Sequence, residues 1–276
     1  MTAIGQDAVQ VLEDRADLQR ARLLQSILPV PRSLGDTSEL PLLSHWCQFH
    51  QAVVLADVGR DGHPSVGDFI PDTGLPRRMW AGSRVEFLAQ LHDGAALKKV
   101  STVKAVTPKE GRSGKLCFVT VSHEIYADDR LSIREEQDLV YREAAAGKAA
   151  AMPAPEEAPQ DPHFTDTIRP DPVMLFRYSA LTFNSHRIHY DREHAVHVEG
   201  HGGLVVHGPL IATLLVDLLG RNTAWRPLRN FTFKALSPLY DIAPFEISGR
   251  LQDARATLWA HSEAGGLAVT AQAEFA

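Results

Sequence analysis

The chain reads as α+β: two antiparallel sheets, each wrapped on a helix, joined by a loose linker. Three observations predict this. Apolar residues recur with a period of two in successive runs after residue 83 and again after residue 228. One run, "GPLIATLLVDLLGR" (208–221), is apolar on every side of a helix except at Thr213 and Asp217. Between the two strand-rich regions lies "AAAGKAAAMPAPEEAPQ" (144–160), with eight Ala and three Pro.

Residues 7–27 carry Val11, Leu12, Leu18, Leu23, Leu24 and Ile27 among charges, which predicts an amphipathic helix. "ELPLLSHWCQFHQ" (39–51) places Leu42, Leu43, Trp46 and Phe49 on one helical face and predicts a second, shorter helix. "VGRDGHPSVGDFIPDTGLP" (58–76) is turn-rich and irregular. "SRVEFLAQL", "KKVSTVKAV", "KLCFVTVSHEIY" and "RLSIREEQDLVYR" read as strands, with "KEGRSGK" as a hairpin turn. The Ala/Pro-rich stretch predicts a solvated linker, because such composition builds no packed element. In the helix that follows, Pro209 stands just inside the start and Gly220 just past the expected end. A helix apolar all round must be buried on most sides. "RNFTFKAL", "FEISGRLQD", "ATLWAHSE" and "LAVTAQAEFA" then read as four strands, the last alternating Leu267, Val269, Ala271, Ala273 and Phe275 against polar neighbours. The segments "RVEFLAQLHDG" and "NFTFKALSPLYDI" share Phe-x-Ala followed by a Leu-x-Asp, which suggests an internal duplication. The expected units are 1–142, a linker over 143–163, and 164–276.

The formal charge of −6 over 276 residues excludes a nucleic-acid-binding role, which needs clustered Lys and Arg. Cys47 and Cys117 are the only cysteines and form no disulfide framework, so a reducing compartment is expected. The N-terminus has no apolar core and is rich in acidic residues, which argues against a secretory or mitochondrial leader. No apolar run approaches the ~18–20 residues needed to span a bilayer. A cytoplasmic protein without membrane contact is expected.

Six of the 13 histidines, His186, His189, His194, His197, His201 and His207, fall within 22 residues. Their spacings suit a metal, yet no cysteine lies nearby and no HExxH pattern occurs, so no metal is expected. His194, His197 and His201, among glycines, read as a solvated loop face. Ser179 and Ser185 lack a nucleophile elbow, and "GHGGLVVHG" is neither a dinucleotide nor a Walker motif.

"YSALTFNSHRIHYDREHA" resembles the signature of MaoC-like R-specific enoyl-CoA hydratases and dehydratases, Asp-x-Asn-Pro-aliphatic-His. His189 matches the motif histidine and Ile188 the aliphatic position. Arg187 stands in place of proline, His186 in place of asparagine, and Asn184 in place of the aspartate. "GLVVHGPLIATLL" and "LPRRMWAGSRVEF" resemble further segments of the single-chain branch that includes mitochondrial-type 3-hydroxyacyl-thioester dehydratases and mesaconyl-C4-CoA and itaconyl-CoA hydratases. The resemblance implies a double hot-dog fold, an N-terminal repeat without the signature and a C-terminal repeat with it, acting on an acyl-CoA thioester without a cofactor. As an internal pseudo-dimer, the chain is expected to be either a monomer or a homodimer.

Adding water to a conjugated thioester needs a base for water, an acid for Cα and donors for the carbonyl oxygen. The resemblance makes His189 the base. Asn184 cannot take a proton but orients water through its C=O and NH2. His186 or Asp191 then supplies the second proton, although Asp191 is equally an N-cap for the segment after it. Gly208 brings its N–H to the ligand at the positive end of a buried helix. His207 is either packed ahead of that helix or, like Tyr190, substrate-facing. Arg187, Arg192, Arg229 and Lys234 are candidates for phosphate or carboxylate. Arg77 and Arg78, beside Trp80, are either a surface pair or the holders of a free acyl carboxylate. A C5 dicarboxyl-CoA such as mesaconyl-C4-CoA or itaconyl-CoA, giving citramalyl-CoA, is the expected substrate. The alternatives are a straight-chain 3-hydroxyacyl thioester or a non-catalytic thioester-binding module.

Overall fold

A computed structural model describes residues 8–111, 114–143 and 155–276. The elements are β1 (Val9–Arg15), α1 (Leu18–Gln25), β2 (Arg77–Phe87), β3 (Ala96–Gly111), β4 (Gly114–Ala127), β5 (Arg130–Arg142), β6 (Phe164–Ile168), α2 (Pro172–Leu181), α3 (Gly208–Asn222), β7 (Leu228–Ala235), β8 (Phe245–Gln252), β9 (Arg255–Ser262) and β10 (Leu267–Phe275). The strands expected between 83 and 142 and after 228 all form. The tip of the 109–115 hairpin and residues 144–154 of the Ala/Pro-rich stretch lie outside the described residues.

The two expected sheets are one. Ten antiparallel strands run in the order β1-β3-β4-β5-β2-β7-β10-β9-β8-β6. Read outward from the β2–β7 seam, each half has the same order: β2-β5-β4-β3-β1 on one side and β7-β10-β9-β8-β6 on the other. The two segments that look alike in sequence are the strands paired at this seam. Aligning Phe87 with Phe233 also aligns Val85 with Phe231, and Val85 pairs directly with Phe231. Arg84↔Thr232 and Glu86↔Asn230 flank that pair symmetrically. The pseudo-two-fold axis of the duplication therefore passes through Val85 and Phe231.

Only the second half wraps a long helix among the described residues. α3 is buried continuously from Pro209 to Gly220 and packs on β8, β9 and β10. Gly220 lies inside the last turn rather than past the end, and a Cβ there would collide with the Trp225 ring, so the position needs glycine for packing and not for a helix stop. Asp217 is buried against Arg221 at 2.9 Å, and Arg221 also reaches Asp166 at 2.5 Å.

The first half departs further from expectation. Residues 9–15 form an edge strand on β3 instead of the start of a helix, with alternating exposure and Val11 opposite Val100. Asp17 then caps α1, accepting from the amides of Gln19 (2.7 Å) and Arg20 (3.3 Å), so the helix covers only the second part of the predicted span. The helix expected over 39–51 is a single 3₁₀ turn, Ser44–Cys47. Leu43 and Phe49 on either side adopt left-handed backbone (φ 65° and 61°), which an α-helix does not allow. The end of the Ala/Pro-rich stretch is packed rather than solvated. Glu157 bridges Gly266, and Ala158 is buried with Trp259 and Leu267. β6 and α2 are elements that periodicity alone did not single out; Asp171 caps α2 through the Met174 amide at 2.7 Å. No helix among the described residues is long and apolar enough to cross a membrane.

Phe231 is fully buried on the pseudo-axis. Phe231→Ala is expected to destabilise the protein by about 3–5 kcal/mol and to lower the denaturation midpoints of both halves together in a urea titration. A loss confined to one half would contradict a single continuous sheet.

Candidate active site

The site begins with a contact between distant segments. Residues 59–63 turn tightly, with Gly59 N–H on His63 O (2.7 Å) and Gly62 N–H on Gly59 O (2.9 Å). This turn is fastened to the 183–191 motif at three points. The Arg187 N–H donates to Asp61 O at 2.8 Å, the Arg187 guanidinium donates to Arg60 O at 3.2 Å, and the Ser185 hydroxyl donates to Gly62 O. Gly62 has φ +93°, and a Cβ there would overlap the Ser185 carbonyl. Only glycine permits so close an approach in that conformation.

The clamp brings imidazoles from both halves into one row. The His63 and His186 ring centroids are 4.1 Å apart, His186 and His189 meet edge-on at 5.4 Å, and His189 stacks on His207 at 3.6 Å and 18°. His189 donates Nδ1–H to Val205 O (2.7 Å), so its Nε2 carries a lone pair. His63 Nδ1 pairs with Asp61 Oδ2 at 2.8 Å, while Asp61 Oδ1 accepts the His63 N–H at 3.0 Å. Burial holds these rings neutral. It depresses His189 to about 3; burial and then Arg78 depress His63 to about 4; and His186 and His207 are also pushed down. His207 Nε2 and the Ser179 hydroxyl are 2.8 Å apart.

These rings line a cavity of about 1830 Å³ shared by both halves, larger than the roughly 300–1,000 Å³ of a drug-sized pocket. Gly208 opens onto it as the first residue of α3, and its N–H has no hydrogen-bond partner among the described residues. Asn184 lines it too, but its Oδ1 accepts the His186 N–H at 3.0 Å. The side-chain NH2 alone remains for a ligand, not both ends of the amide as expected. Asp191 lies outside the cavity. One oxygen holds Arg187 (2.6 Å) and the other caps the His194 amide (3.0 Å). Arg187 is thereby spent on Asp191, Arg192 pairs with Asp241, and Arg229 pairs with Glu86 at 2.8 Å. The Tyr190 hydroxyl bonds Ser185 O and its ring is half exposed. The basic pair is divided. Arg77 holds the Glu199 carboxylate and carbonyl, whereas Arg78 lines the cavity with no acidic partner within salt-bridge distance among the described residues. Trp80 lines it beside them, its Nε1 on Gly82 O and its ring edge-on to Trp46 at 5.2 Å. The loop histidines do not share a solvated face: His194 is buried, His201 lines the cavity, and only His197 is exposed.

A second polar row crosses the first half of the sheet on its inner side. Gln10, Ser101, His123 and Glu135 are direct cross-strand neighbours, followed by Val85 and Phe231 at the seam. Glu135 is buried and accepts from His45 Nε2 and Trp46 Nε1, each at 3.1 Å, and from Gln137 at 3.1 Å. Burial alone would raise its carboxyl, but the His45 bond and the neighbouring His45 and His123 outweigh it and pull it to about 2. His123 pairs with the Ser101 hydroxyl at 2.8 Å, and burial depresses it to about 4. Lys99, also lowered by burial, faces the cavity over the Phe49 ring at 4.8 Å.

Asp61, His63 and His186 bring three donor atoms within 4.8 Å of one another, a spacing a metal can use. Two of the three already satisfy each other through the His63–Asp61 hydrogen bond. Sequence reasoning missed Asp61, His63 and this polar row. A signal for the row was present: Lys99, Ser101, His123, Glu135 and Gln137 occupy the inward parity of strands whose other inward residues are Leu97, Val121, Ile125, Ile133 and Leu139. For Asp61 and His63 the only hint was a "DGH" triplet in a turn.

A family model for hydroxyacyl-thioester dehydratase type 2 matches residues 43–241. The chain is 46% identical to a mesaconyl-C(4)-CoA hydratase of Chloroflexus aurantiacus, over 96% of its own length and 94% of the relative's. A MaoC-like dehydratase of Phytophthora capsici superposes with a TM-score of 0.73 at 15% identity, covering 99% of this chain and 96% of that one. A Mycobacterium tuberculosis protein described as having a double hotdog fold superposes with a TM-score of 0.56 at 15% identity, covering 98% and 96%.

Two predictions follow from this geometry. Gly62→Ala must push the 59–63 turn off Ser185, and is expected to abolish most activity while leaving the circular-dichroism spectrum of the sheet unchanged. Full activity in that variant would show that the clamp is dispensable. The second concerns pH. His63, His123 and His189 titrate near 6.5 when unfolded and at about 3–4 when folded, so below 6.5 the unfolded chain binds more protons. Their contribution to stability is complete above about 6.5 and is lost as pH falls toward 3–4. Glu135 is normal near 4.5 unfolded and about 2 folded, so its contribution disappears between those values. Denaturation midpoints should start to fall just below pH 6.5, and a profile flat down to pH 5 would contradict this.

Proposed function

The chain belongs to the hydroxyacyl-thioester dehydratase type 2 family, and on that premise we propose that it hydrates an enoyl-CoA bearing a free carboxylate. Mesaconyl-C4-CoA or itaconyl-CoA, giving citramalyl-CoA, is the preferred substrate. It is a hydro-lyase of the enoyl-thioester hydratase type with a double hot-dog fold.

One observation carries the choice of acyl group: Arg78 lines the cavity with no acidic side chain within salt-bridge distance among the described residues, and its charge reaches Asp61, His63 and His186. In mesaconyl-C4-CoA the free carboxylate is attached to Cβ, the carbon that water attacks. A cation for that carboxylate must sit beside the proton-transfer groups, and Arg78 is the candidate that lines the cavity. The kinship with a mesaconyl-C(4)-CoA hydratase agrees with this reading.

In the proposed step, an O–H of water points at the His189 Nε2 lone pair, and the Asn184 NH2 braces the water oxygen. On mesaconyl-C4-CoA the oxygen bonds to Cβ as the π electrons of the conjugated Cα=Cβ bond move into the thioester. The Gly208 N–H, at the positive end of α3, receives the charge on the carbonyl oxygen. A donor placed this way contributes about 3–4 kcal/mol to the transition state. The proton released by water returns to Cα. Neutral imidazoles suit this work, since a charged ring has no lone pair to offer. The apolar stretch of cavity at Val121, Leu139 and Ile211 favours the second reading, a straight-chain 3-hydroxyacyl thioester.

The test is loss of conjugated-thioester absorbance with crotonyl-CoA, a longer 2-enoyl-CoA and mesaconyl-C4-CoA, with itaconyl-CoA hydration followed by product formation. Turnover confined to the C5 dicarboxyl thioesters is expected, and turnover of straight chains alone would establish the second reading. Arg78→Gln should lower kcat/KM for mesaconyl-C4-CoA by about 10–100-fold, the range for losing a charged hydrogen bond of ~1.5–3 kcal/mol. Any turnover of crotonyl-CoA, which has no carboxylate to lose, should fall far less. His189→Ala should remove turnover and leave thioester binding intact; unchanged turnover would exclude His189 from the reaction.

A further inference from the structure

A hydratase motif with asparagine in the aspartate position lacks the carboxylate that would balance a proton in flight. Asn184 cannot supply it, Asp191 is held outside the cavity, and Glu135 is committed to His45 and Trp46 in the other half. Glu199 is held by Arg77, and Asp57, Asp68 and Glu143, which also line the cavity, make no hydrogen bond or ion pair to a ring of the row among the described residues. His189 has only the neutral carbonyl of Val205 on its second nitrogen, so a proton on its ring would be an uncompensated buried charge. His186 has no carboxylate on its ring, and His207 has only Ser179.

One imidazole in the row differs. The geometry points to His63, backed by Asp61, as the group that carries the proton between water and Cα. This rests on the hydratase reading above. His63 lines the cavity and Asp61 does not, so the ring faces the ligand and the carboxylate stands behind it. Asp61 Oδ2 takes the Nδ1–H, which fixes the tautomer and leaves a lone pair on Nε2. Asp61 Oδ1 is held by the His63 amide, and its backbone carbonyl by the Arg187 N–H inside the motif. The pair is thereby fastened to the segment that carries His186 and His189.

The step balances as follows. Water oxygen bonds to Cβ while one of its protons passes to His63 Nε2. The Cα–Cβ π pair becomes the enolate of the thioester, with its oxygen on the Gly208 N–H. The imidazolium is neutralised by Asp61 across the Nδ1–H···Oδ2 bond. His63 then delivers the proton to Cα as the carbonyl re-forms, so H and OH have been added and the ring is neutral again. Throughout, His189 Nε2 accepts the other O–H of the water and holds it in line. The charged and titratable groups facing His63 are Asp61, Arg78, Glu199, His186 and His189.

The test compares wild type, His63→Ala and Asp61→Asn on the thioester that the wild type hydrates best. His63→Ala is expected to lose about 10²–10⁴ in kcat, the usual contribution of a positioned acid–base group, with KM and the circular-dichroism spectrum unchanged. Added imidazole should restore part of that rate, an effect a merely structural histidine does not give. Asp61→Asn should lose less and move the acidic limb of the pH–rate profile to lower pH, because the imidazolium has lost its counter-charge. A His63→Ala enzyme within tenfold of wild type, or one that imidazole fails to rescue, overturns the assignment while leaving the hydratase reading intact. So does stoichiometric metal in purified wild type that disappears in His63→Ala. A wild type that hydrates none of the thioesters overturns the hydratase reading and this one with it.

Discussion

Everything in this molecule depends on the pairing of β2 with β7. Hydrogen bonds from Gly82↔Lys234 to Glu86↔Asn230 turn two five-stranded halves into one sheet, and the sheet fixes the relation between everything attached to either half. Strand edges are open to pairing with whatever matches them. Here each half covers the other's inner edge, and Val85 and Phe231 bury the seam. The cavity is lined by residues next to that join, Met79 and Trp80 on β2 and Ala235 on β7.

The site's electrostatics follow from the same enclosure. Imidazoles gathered from both halves are deprived of water, and burial, more than any single charge, keeps them neutral. Neutral rings supply lone pairs, but none can accept a proton cheaply without an anion beside it. Among the described residues, few carboxylates bond to the buried imidazoles. Asp61 stands behind His63, Glu135 is locked among His45, Trp46 and Gln137, and Glu199 is on Arg77. Arg78 is left lining the cavity without a salt-bridge partner among the described residues.

Much of the fold was legible because side chains on a strand alternate between two faces. The β2–β5 and β7–β10 runs show that alternation, and α3 shows the opposite pattern, apolar all round. The stretch from 7 to 27 misled because its apolar residues satisfy a helical spacing, while a waiting edge on β3 made the period-two reading of residues 9–15 the lower in free energy. The short turn at 44–47 misled because nothing local announces that Leu43 and Phe49 will adopt left-handed backbone. Of the residues that line the cavity, His189, His186, Asn184 and Gly208 were singled out from contiguous motifs. Asp61 and His63 were not, because their meaning arises from a contact across 123 residues, the Ser185 hydroxyl on Gly62 O. Arg187, Arg229 and Asp191 were plausible by charge alone and turned out to be satisfied elsewhere. Charge is readable from a sequence, but the identity of its partner is not.

The join between the halves also has a meaning in terms of mass action. Were the repeats two separate chains, a pocket taking His63 from one and His189 from the other would exist only while the two stayed associated, and it would vanish on dilution below their dissociation constant. Because both are stretches of one polypeptide, assembly is intramolecular and each half meets the other at a fixed effective concentration. The number of complete pockets then scales linearly with the number of molecules, however few there are.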